Sequence, residues 1–275
     1  MTPRDHLYVY LCYGPSPQTA RELRYSLETL LPEIGGDASR VAIFTDRPET
    51  FSDLLAAKID VAADLAAAGA YRHRLKPLVL ARALKLFKRP CVLLDTDSFI
   101  RPGFDATVSA ALDAGVAMNA FVRADPYPDF GPFETELPHL GRYVFDRERA
   151  RIYNSGLVAA RPEHADWLDD AALLIDRLWS SGLKRHDIEQ FAIGECFRLG
   201  GAPIRVIDRD FEHYCQRWSK RYSRRRLRAR AAGSATAPIP YSKTGVRLFK
   251  GRALLRLGLR RLRRALSARW RGGAQ

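Results

Sequence analysis

The stretch Cys91-Val92-Leu93-Leu94-Asp95-Thr96-Asp97 (CVLLDTD) decides how the rest of the chain is read. Four uninterrupted apolar residues follow the stop Arg89-Pro90, the pattern of a strand buried on both faces. Strands of that kind belong to parallel sheets covered by helices. Asp95 and Asp97 come directly after it. Residues i and i+2 leaving a strand can point the same way, so their carboxylates supply hard oxygen donors for a divalent cation. Open α/β sheets also bind ligands at the carboxyl ends of their strands. The plain alternative is a solvated turn that only ends the strand.

Working outward gives strands alternating with helices. Leu7–Tyr13 (LYVYLCY) reads as a first buried strand, stopped by Gly14-Pro15. Leu23, Leu27, Leu30 and Leu31 mark one face of a helix over Ala20–Leu31, ended by Pro32 and Gly35-Gly36. Val41–Thr45 is a second strand, Lys58–Val61 a short third, and Leu75–Phe87 a helix. Beyond the acidic turn, Val108–Leu112 is helical and Val116–Val122 is another strand. Residues 124–148, rich in Pro, Gly and acids, read as a long ordered loop suited to substrate contacts. Ile152–Ala160 contains a strand, Ala165–Trp179 and Ile188–Leu199 are helices, and Ile204–Ile207 is the final strand. The pattern predicts an α/β fold with one mainly parallel sheet flanked by helices on both faces.

The chain has 275 residues, 47% hydrophobic and 28% charged, a balance ordinary for a globular protein. That excludes a mainly disordered chain, a collagen-like repeat and a polytopic membrane protein. The net charge of +14 is unevenly placed: residues 1–212 hold 26 basic and 31 acidic side chains, whereas residues 213–275 hold 19 basic ones and no acid. A basic tail thus follows a slightly acidic body. Four scattered cysteines, with no zinc-like spacing, fit a reduced cytoplasmic setting. The first apolar run is too short for a secretory signal, and no stretch reaches the roughly 18 apolar residues of a spanning helix. Nothing is expected to cross the membrane.

Several segments supply polar groups that suit the acidic turn. Arg74 and Lys76 precede it on a helix, within reach of phosphates. Tyr153-Asn154-Ser155-Gly156-Leu157 opens a strand, Asp187-x-Glu189-Gln190 begins a helix, and His213 follows the last expected strand. In the order and spacing of these motifs, roughly residues 7–220 resemble the nucleotide-sugar glycosyltransferases of the GT-A (Rossmann-like) fold. The likeness is greatest to the family 8 group and related bacterial enzymes. Leu94-Asp95-Thr96-Asp97 matches that family's DxD motif, and Tyr153-Asn154-Ser155-Gly156-Leu157 is similar to its Phe-Asn-Ser-Gly-Val segment. Glu189-Gln190 resembles its Asp-Gln pair. The departure follows His213, where the family's His-x-x-Gly-x-x-Lys-Pro-Trp is replaced by HYCQRWSK, with Lys220 displaced by one residue.

The resemblance implies a metal-dependent transferase moving a sugar from a nucleoside diphosphate donor, UDP-sugar favoured, to a saccharide or lipid-linked acceptor in cell-surface glycan synthesis. It assigns Asp95, Asp97 and His213 to Mn²⁺ or Mg²⁺. Tyr13, Thr45, Asp46, Arg74, Lys76, Asp95, Thr96 and Lys220 fall to the donor. Asn154, Asp187, Glu189 and Gln190 fall to sugar contact or base catalysis. Asp187 also reads as a simple helix-start acid, and Tyr13 as a packed aromatic. The expected domains are a catalytic body over 1–215, a basic segment and linker over 216–240, and a basic amphipathic segment over 241–275.

In that last segment Leu248, Leu255, Leu259, Leu262, Leu266 and Trp270 form one helical stripe, with arginines mostly opposite. Such a helix suits an anionic membrane surface, which predicts attachment to the inner face of the cytoplasmic membrane. The alternative is a stripe that packs on the body. Two further readings compete. The run Arg217–Arg230 carries eight basic residues interleaved with Trp218 and Tyr222, a pattern that suits nucleic acid. A strand followed by Asp-x-Asp also opens haloacid dehalogenase-like phosphatases, but there it is the first strand, and here others precede it.

Overall fold

The computed structural model describes residues 5–67, 71–233 and 241–255. The chain divides into two compact units, Met1–His213 and Tyr214–Gln275. The first unit begins with β1 (Leu7–Leu11), α1 (Pro17–Leu30), β2 (Val41–Thr45), β3 (Ala57–Asp60), α2 (Ala62–Ala67) and α3 (Leu75–Phe87). Next come β4 (Cys91–Leu94), β5 (Ser98–Ile100), α4 (Phe104–Ala114), β6 (Val116–Met118) and β7 (Phe121–Ala124). It ends with β8 (Glu134–Leu137), β9 (Gly141–Val144), β10 (Arg151–Tyr153), β11 (Leu157–Ala160), α5 (Ala165–Ser180), α6 (Ile188–Leu199), β12 (Ile204–Val206) and β13 (Phe211–His213).

Seven strands form the central sheet in the order β12-β6-β11-β4-β1-β2-β3. Every neighbouring pair is parallel except β11, which runs antiparallel to both β4 and β6. The apolar runs of β1, β2, β4, β6 and β11 are continuous because these inner strands bury both faces, whereas the edge strands β3 and β12 are partly exposed. Leu7, Val9, Phe44 and Leu93 pack with Val79, Leu168 and Ile193 of α3, α5 and α6. Their alternates Tyr8, Tyr10, Ile43 and Leu94 pack with Leu23, Leu27 and Val108 of α1 and α4. A period of two thus divides each run between two cores. The chain places β2 on one side of β1 and β4 on the other. That reversal opens a crevice at the carboxyl ends of β1 and β4, where open α/β sheets take ligands.

Four expectations need correction. Val116–Val122 is not one strand: β6 stops at Met118, and buried Asn119 donates its side-chain amide to the Ile207 carbonyl at 2.9 Å. β7 then pairs with β10 in a separate ribbon. Residues 124–148 are not only loop, because β8 and β9 form a hairpin there. Its turn is held by buried Asp170, which accepts from the backbone N–H groups of His139 and Leu140 at 3.0 and 2.9 Å. Ile152–Ala160 holds two strands, β10 and β11, and Ile204–Ile207 is followed by β13.

The second unit contains α7 (Arg217–Ala231), and residues 243–255 are helical. Leu248 and Leu255 of the expected stripe are exposed. Leu259, Leu262, Leu266 and Trp270 lie outside the described residues, as do residues 234–240 of the expected linker. Among the described residues, no helix is long and apolar enough to cross a membrane.

Candidate metal centre

β4 delivers Asp95 to the crevice, and the Asp95 N–H donates to the Gly156 carbonyl at 2.9 Å, pinning it to the start of β11. Three residues on, β5 pairs antiparallel with β13 so that Ser98 lies opposite His213. This ribbon brings a residue more than a hundred positions away beside the acidic turn. One ligand atom from each of Asp95, Asp97 and His213 falls within 4.8 Å of the others. His213 Nε2 is 3.3 Å from Asp95 Oδ2 and 3.3 Å from Asp97 Oδ1.

The imidazole is oriented from behind. The Gly156 N–H donates to Asn154 Oδ1 at 2.9 Å, which identifies that atom as the amide oxygen. An oxygen cannot donate, so the 2.8 Å contact with His213 Nδ1 must be Nδ1–H donating to it. In a neutral ring this leaves the Nε2 lone pair facing the two carboxylates, the arrangement of an oriented metal-binding histidine. Gly156 makes room for it. A Cβ there would lie 2.3 Å from His213 Nδ1 and 2.8 Å from Asn154 Oδ1. Two carboxylates, one imidazole and a cradle that a methyl would fill suit a divalent cation.

No protein-family model matches the chain, and no curated protein matches it.

A second layer surrounds the three ligands. Lys76 Nζ donates to Asp95 Oδ2 at 2.8 Å and to Ser155 Oγ at 3.1 Å. Burial alone would lower the Lys76 pKa, but the Asp95, Glu189 and Asp97 carboxylates outweigh it and hold the pKa above the ordinary lysine value. Ser155 Oγ donates on to Glu189 Oε1 at 3.2 Å, and the Tyr71 hydroxyl donates to Glu189 Oε2 at 2.6 Å. Burial and then the Glu189 charge push the Tyr71 pKa up, so its proton stays on at neutral pH. The Lys76 ammonium thus lies among the carboxylates of Asp95, Asp97 and Glu189. Carboxylates gathered in this way have the sign that a divalent cation offsets.

Of the residues expected at this site, Asp95, Asp97, His213, Asn154, Lys76 and Glu189 are brought together. Tyr13, half-buried at the end of β1, lies beside them: burial raises its pKa, opposed by Lys76 and Arg72 and reinforced by Asp95 and Glu189. Arg74 points elsewhere, donating to Asp176 of α5 at 2.6 Å. Asp187 is clamped by Arg123 at 2.9 Å and Tyr127 at 3.3 Å, which ties the start of α6 to β7 and the segment after it. Thr45 caps a turn by accepting from the Arg47 N–H at 3.1 Å, and both Asp46 oxygens accept from the Gly14 N–H. Thr96 is buried within the acidic turn, and Gln190 is half-buried on the first turn of α6. Lys220 belongs to α7 in the other unit. Tyr71 and Ser155 were not anticipated as functional. Ser155 sits inside a motif already singled out, whereas Tyr71 carries no local signal.

Proposed function

We propose that the chain is a metal-dependent glycosyltransferase of the GT-A type, moving a sugar from a nucleoside diphosphate donor to a saccharide or lipid-linked acceptor. The observation that carries the reading is the Asp95–Asp97–His213 set at the crevice between β4 and β1, backed by Lys76. Mn²⁺ accepts both carboxylate and imidazole donors, and Mg²⁺ prefers oxygen, so the histidine favours Mn²⁺. When bound, the cation supplies Lewis-acid charge to the donor's diphosphate.

The protein's own groups perform the rest. Breaking the anomeric bond builds negative charge on the departing diphosphate. Lys76, already oriented by Asp95 and Ser155, offers a preorganised ammonium to that charge. Glu189, with both oxygens anchored, is a fixed acceptor for a hydroxyl of the donor sugar. Gln190, one residue on, adds an amide. Asn154 acts through His213 and is a positioning residue. Tyr13 serves the base, with Thr45 and Asp46 shaping the neighbouring end of β2. Asp187 is assigned to holding the segment after β7 in place. UDP-sugars are the donor class favoured by the family resemblance.

A thermal-shift panel of nucleoside diphosphate sugars, with and without Mn²⁺ and repeated on Asp97→Ala, tests the reading. One donor should raise the melting temperature only with Mn²⁺, and the variant should abolish that shift. A panel in which no donor gives a Mn²⁺-dependent shift would overturn it. The reading includes attachment to the inner face of an anionic membrane through residues 241–275, because residues 213–275 carry 19 basic side chains and no acid.

A further inference from the structure

A short ribbon beside the metal centre exposes apolar side chains that the donor chemistry does not use. β6 is antiparallel to β11 and β11 to β4, so β6 and β4 run the same way and end at the same edge of the sheet. β7 therefore starts from the edge that holds Asp95. The Asn154 N–H donates to the Ala120 carbonyl at 2.7 Å, and the Asn154 side chain orients His213. Phe121 comes next in the chain. It is 52% exposed and Val122 is 50% exposed. Tyr153 of β10 pairs with Phe121 and Ile152 with Arg123, which leaves Val122 as the extra residue of a β-bulge. Bulges re-aim side chains and are frequent beside active sites. Tyr153 meets Phe121 edge-on, with ring centroids 5.7 Å apart. It is backed in turn by α6, where a Cβ on Gly194 would lie 3.4 Å from its ring. Gly194 stands one helical turn beyond Gln190 and shares its face of α6. Phe121, Tyr153 and Gln190 thus form a path from the ribbon to the start of α6.

We propose that Phe121, set against Tyr153, is a platform on which one pyranose ring of the acceptor saccharide stacks. The inference rests on the transferase reading and assigns the acceptor side of the same crevice. A pyranose offers a face of C–H groups to an aromatic ring while its hydroxyls keep their hydrogen bonds. Sites for such ligands combine aromatic side chains with a few placed polar groups. Arg123 supplies one here, since its guanidinium stays partly exposed while it donates to Asp187. Size argues against a protein partner. Two half-exposed side chains are a small part of the about 800 Å² that each partner gives to a protein interface. Charge argues against a lipid chain. An alkyl chain needs the apolar strip to continue, but the next pairs along the ribbon bring in Arg123 and Arg151.

Saturation-transfer NMR on the full-length protein tests the platform. The probes are the methyl pyranosides of glucose, galactose, mannose and N-acetylglucosamine, and octyl glucopyranoside below its micelle concentration. At least one should receive saturation at its ring C–H protons. Phe121→Ala should weaken that binding by about 3- to 10-fold, whereas Phe121→Tyr keeps the ring and should stay within about twofold. Leu86→Ala removes another exposed apolar side chain at the far end of α3 and should also stay within about twofold. The urea midpoint checks that each variant is folded. No pyranoside binding, no loss in Phe121→Ala, an equal loss in Leu86→Ala, or saturation on the octyl chain in place of the sugar ring would each overturn the proposal. The Mn²⁺-dependent donor shift does not involve Phe121, so the two readings fail separately. A donor shift without pyranoside binding keeps the transferase and removes the platform. Pyranoside binding that Phe121→Ala weakens, with no donor shift, keeps a sugar platform and removes the transferase.

Discussion

Replacing Gly156 by alanine isolates the orientation of His213 from its chemistry. The new Cβ would stand 2.3 Å from His213 Nδ1 and 2.6 Å from Cγ, where ordinary contact begins at 3.4 Å. The ring must therefore retreat by about 1 Å. It cannot do so and keep the 2.8 Å bond to Asn154, whose own oxygen would be 2.8 Å from the methyl. Nε2 then leaves its place between Asp95 and Asp97. Losing an outer partner of a metal-binding histidine typically weakens metal binding by about 10- to 100-fold. Overpacking a buried position costs about 1–3 kcal/mol. Mn²⁺ affinity can be followed by the electron paramagnetic resonance signal of the free ion, and stability by urea unfolding without metal. Gly131→Ala is the control, because nothing lies within 4 Å of its added methyl. If Gly156→Ala binds Mn²⁺ within twofold of the unaltered protein, the orienting role of the Asn154–His213 pair is wrong.

Three further outcomes follow from the same geometry. Lys76→Met should raise Mn²⁺ affinity, since it removes a cation that competes for Asp95 Oδ2, while lowering transfer by about 10²–10³-fold if Lys76 serves the leaving diphosphate; weaker Mn²⁺ binding would contradict the competition. Burial lowers the pKa of His164, with Arg161 assisting against Glu163, and its Nδ1 accepts from the Arg161 N–H at 3.1 Å. Its contribution to stability is therefore present above the ordinary histidine value of 6.5 and lost as pH falls through the lower folded value. His164→Gln should flatten the urea midpoint against pH between 7 and 5. Burial pushes the Cys12 and Cys91 thiols up to about 12 and the Cys196 thiol well up, whereas Cys215 is exposed. A disulfide reagent should therefore modify one thiol quickly in the native protein and the other three only on unfolding.

The sheet was legible because its strands are short apolar runs with clear stops. Val41–Thr45 and Cys91–Leu94 read as they fold, and so did the helices Leu75–Phe87 and Ile188–Leu199. The hairpin β8–β9 was not, because Glu134-Thr135-Glu136 shows water a polar face, and only the Asp170 side chain, thirty residues on, closes its turn. β5 and β13 have three residues each, too few for a period, and they exist through pairing with each other. At the site, Asp95 and Asp97 were legible because both belong to one turn. Residues two apart at a helix start were harder. They point to different sides, so Lys76 meets Asp95 while Arg74 meets Asp176, and Glu189 meets Ser155 while Asp187 meets Arg123. No local pattern tells which member of such a pair faces the crevice.

The charge arrangement links the site to the stability of the fold. Grouping Asp95, Asp97 and Glu189 around Lys76 in a crevice where Asp97 and Glu189 are almost wholly buried opposes folding, since carboxylates give up water there. A sequence selected only for stability would place apolar residues there. Hydrogen bonds from Tyr71, Ser155 and Lys76 satisfy individual oxygens, but they add only one positive charge. A divalent cation bound there would stabilise the native state by mass action, about 2.7 kcal/mol at a hundred times its dissociation constant. On the proposed reading, the gathered carboxylates are half of an assembly whose other half would be a divalent cation, for which Asp95, Asp97 and His213 each offer a ligand atom.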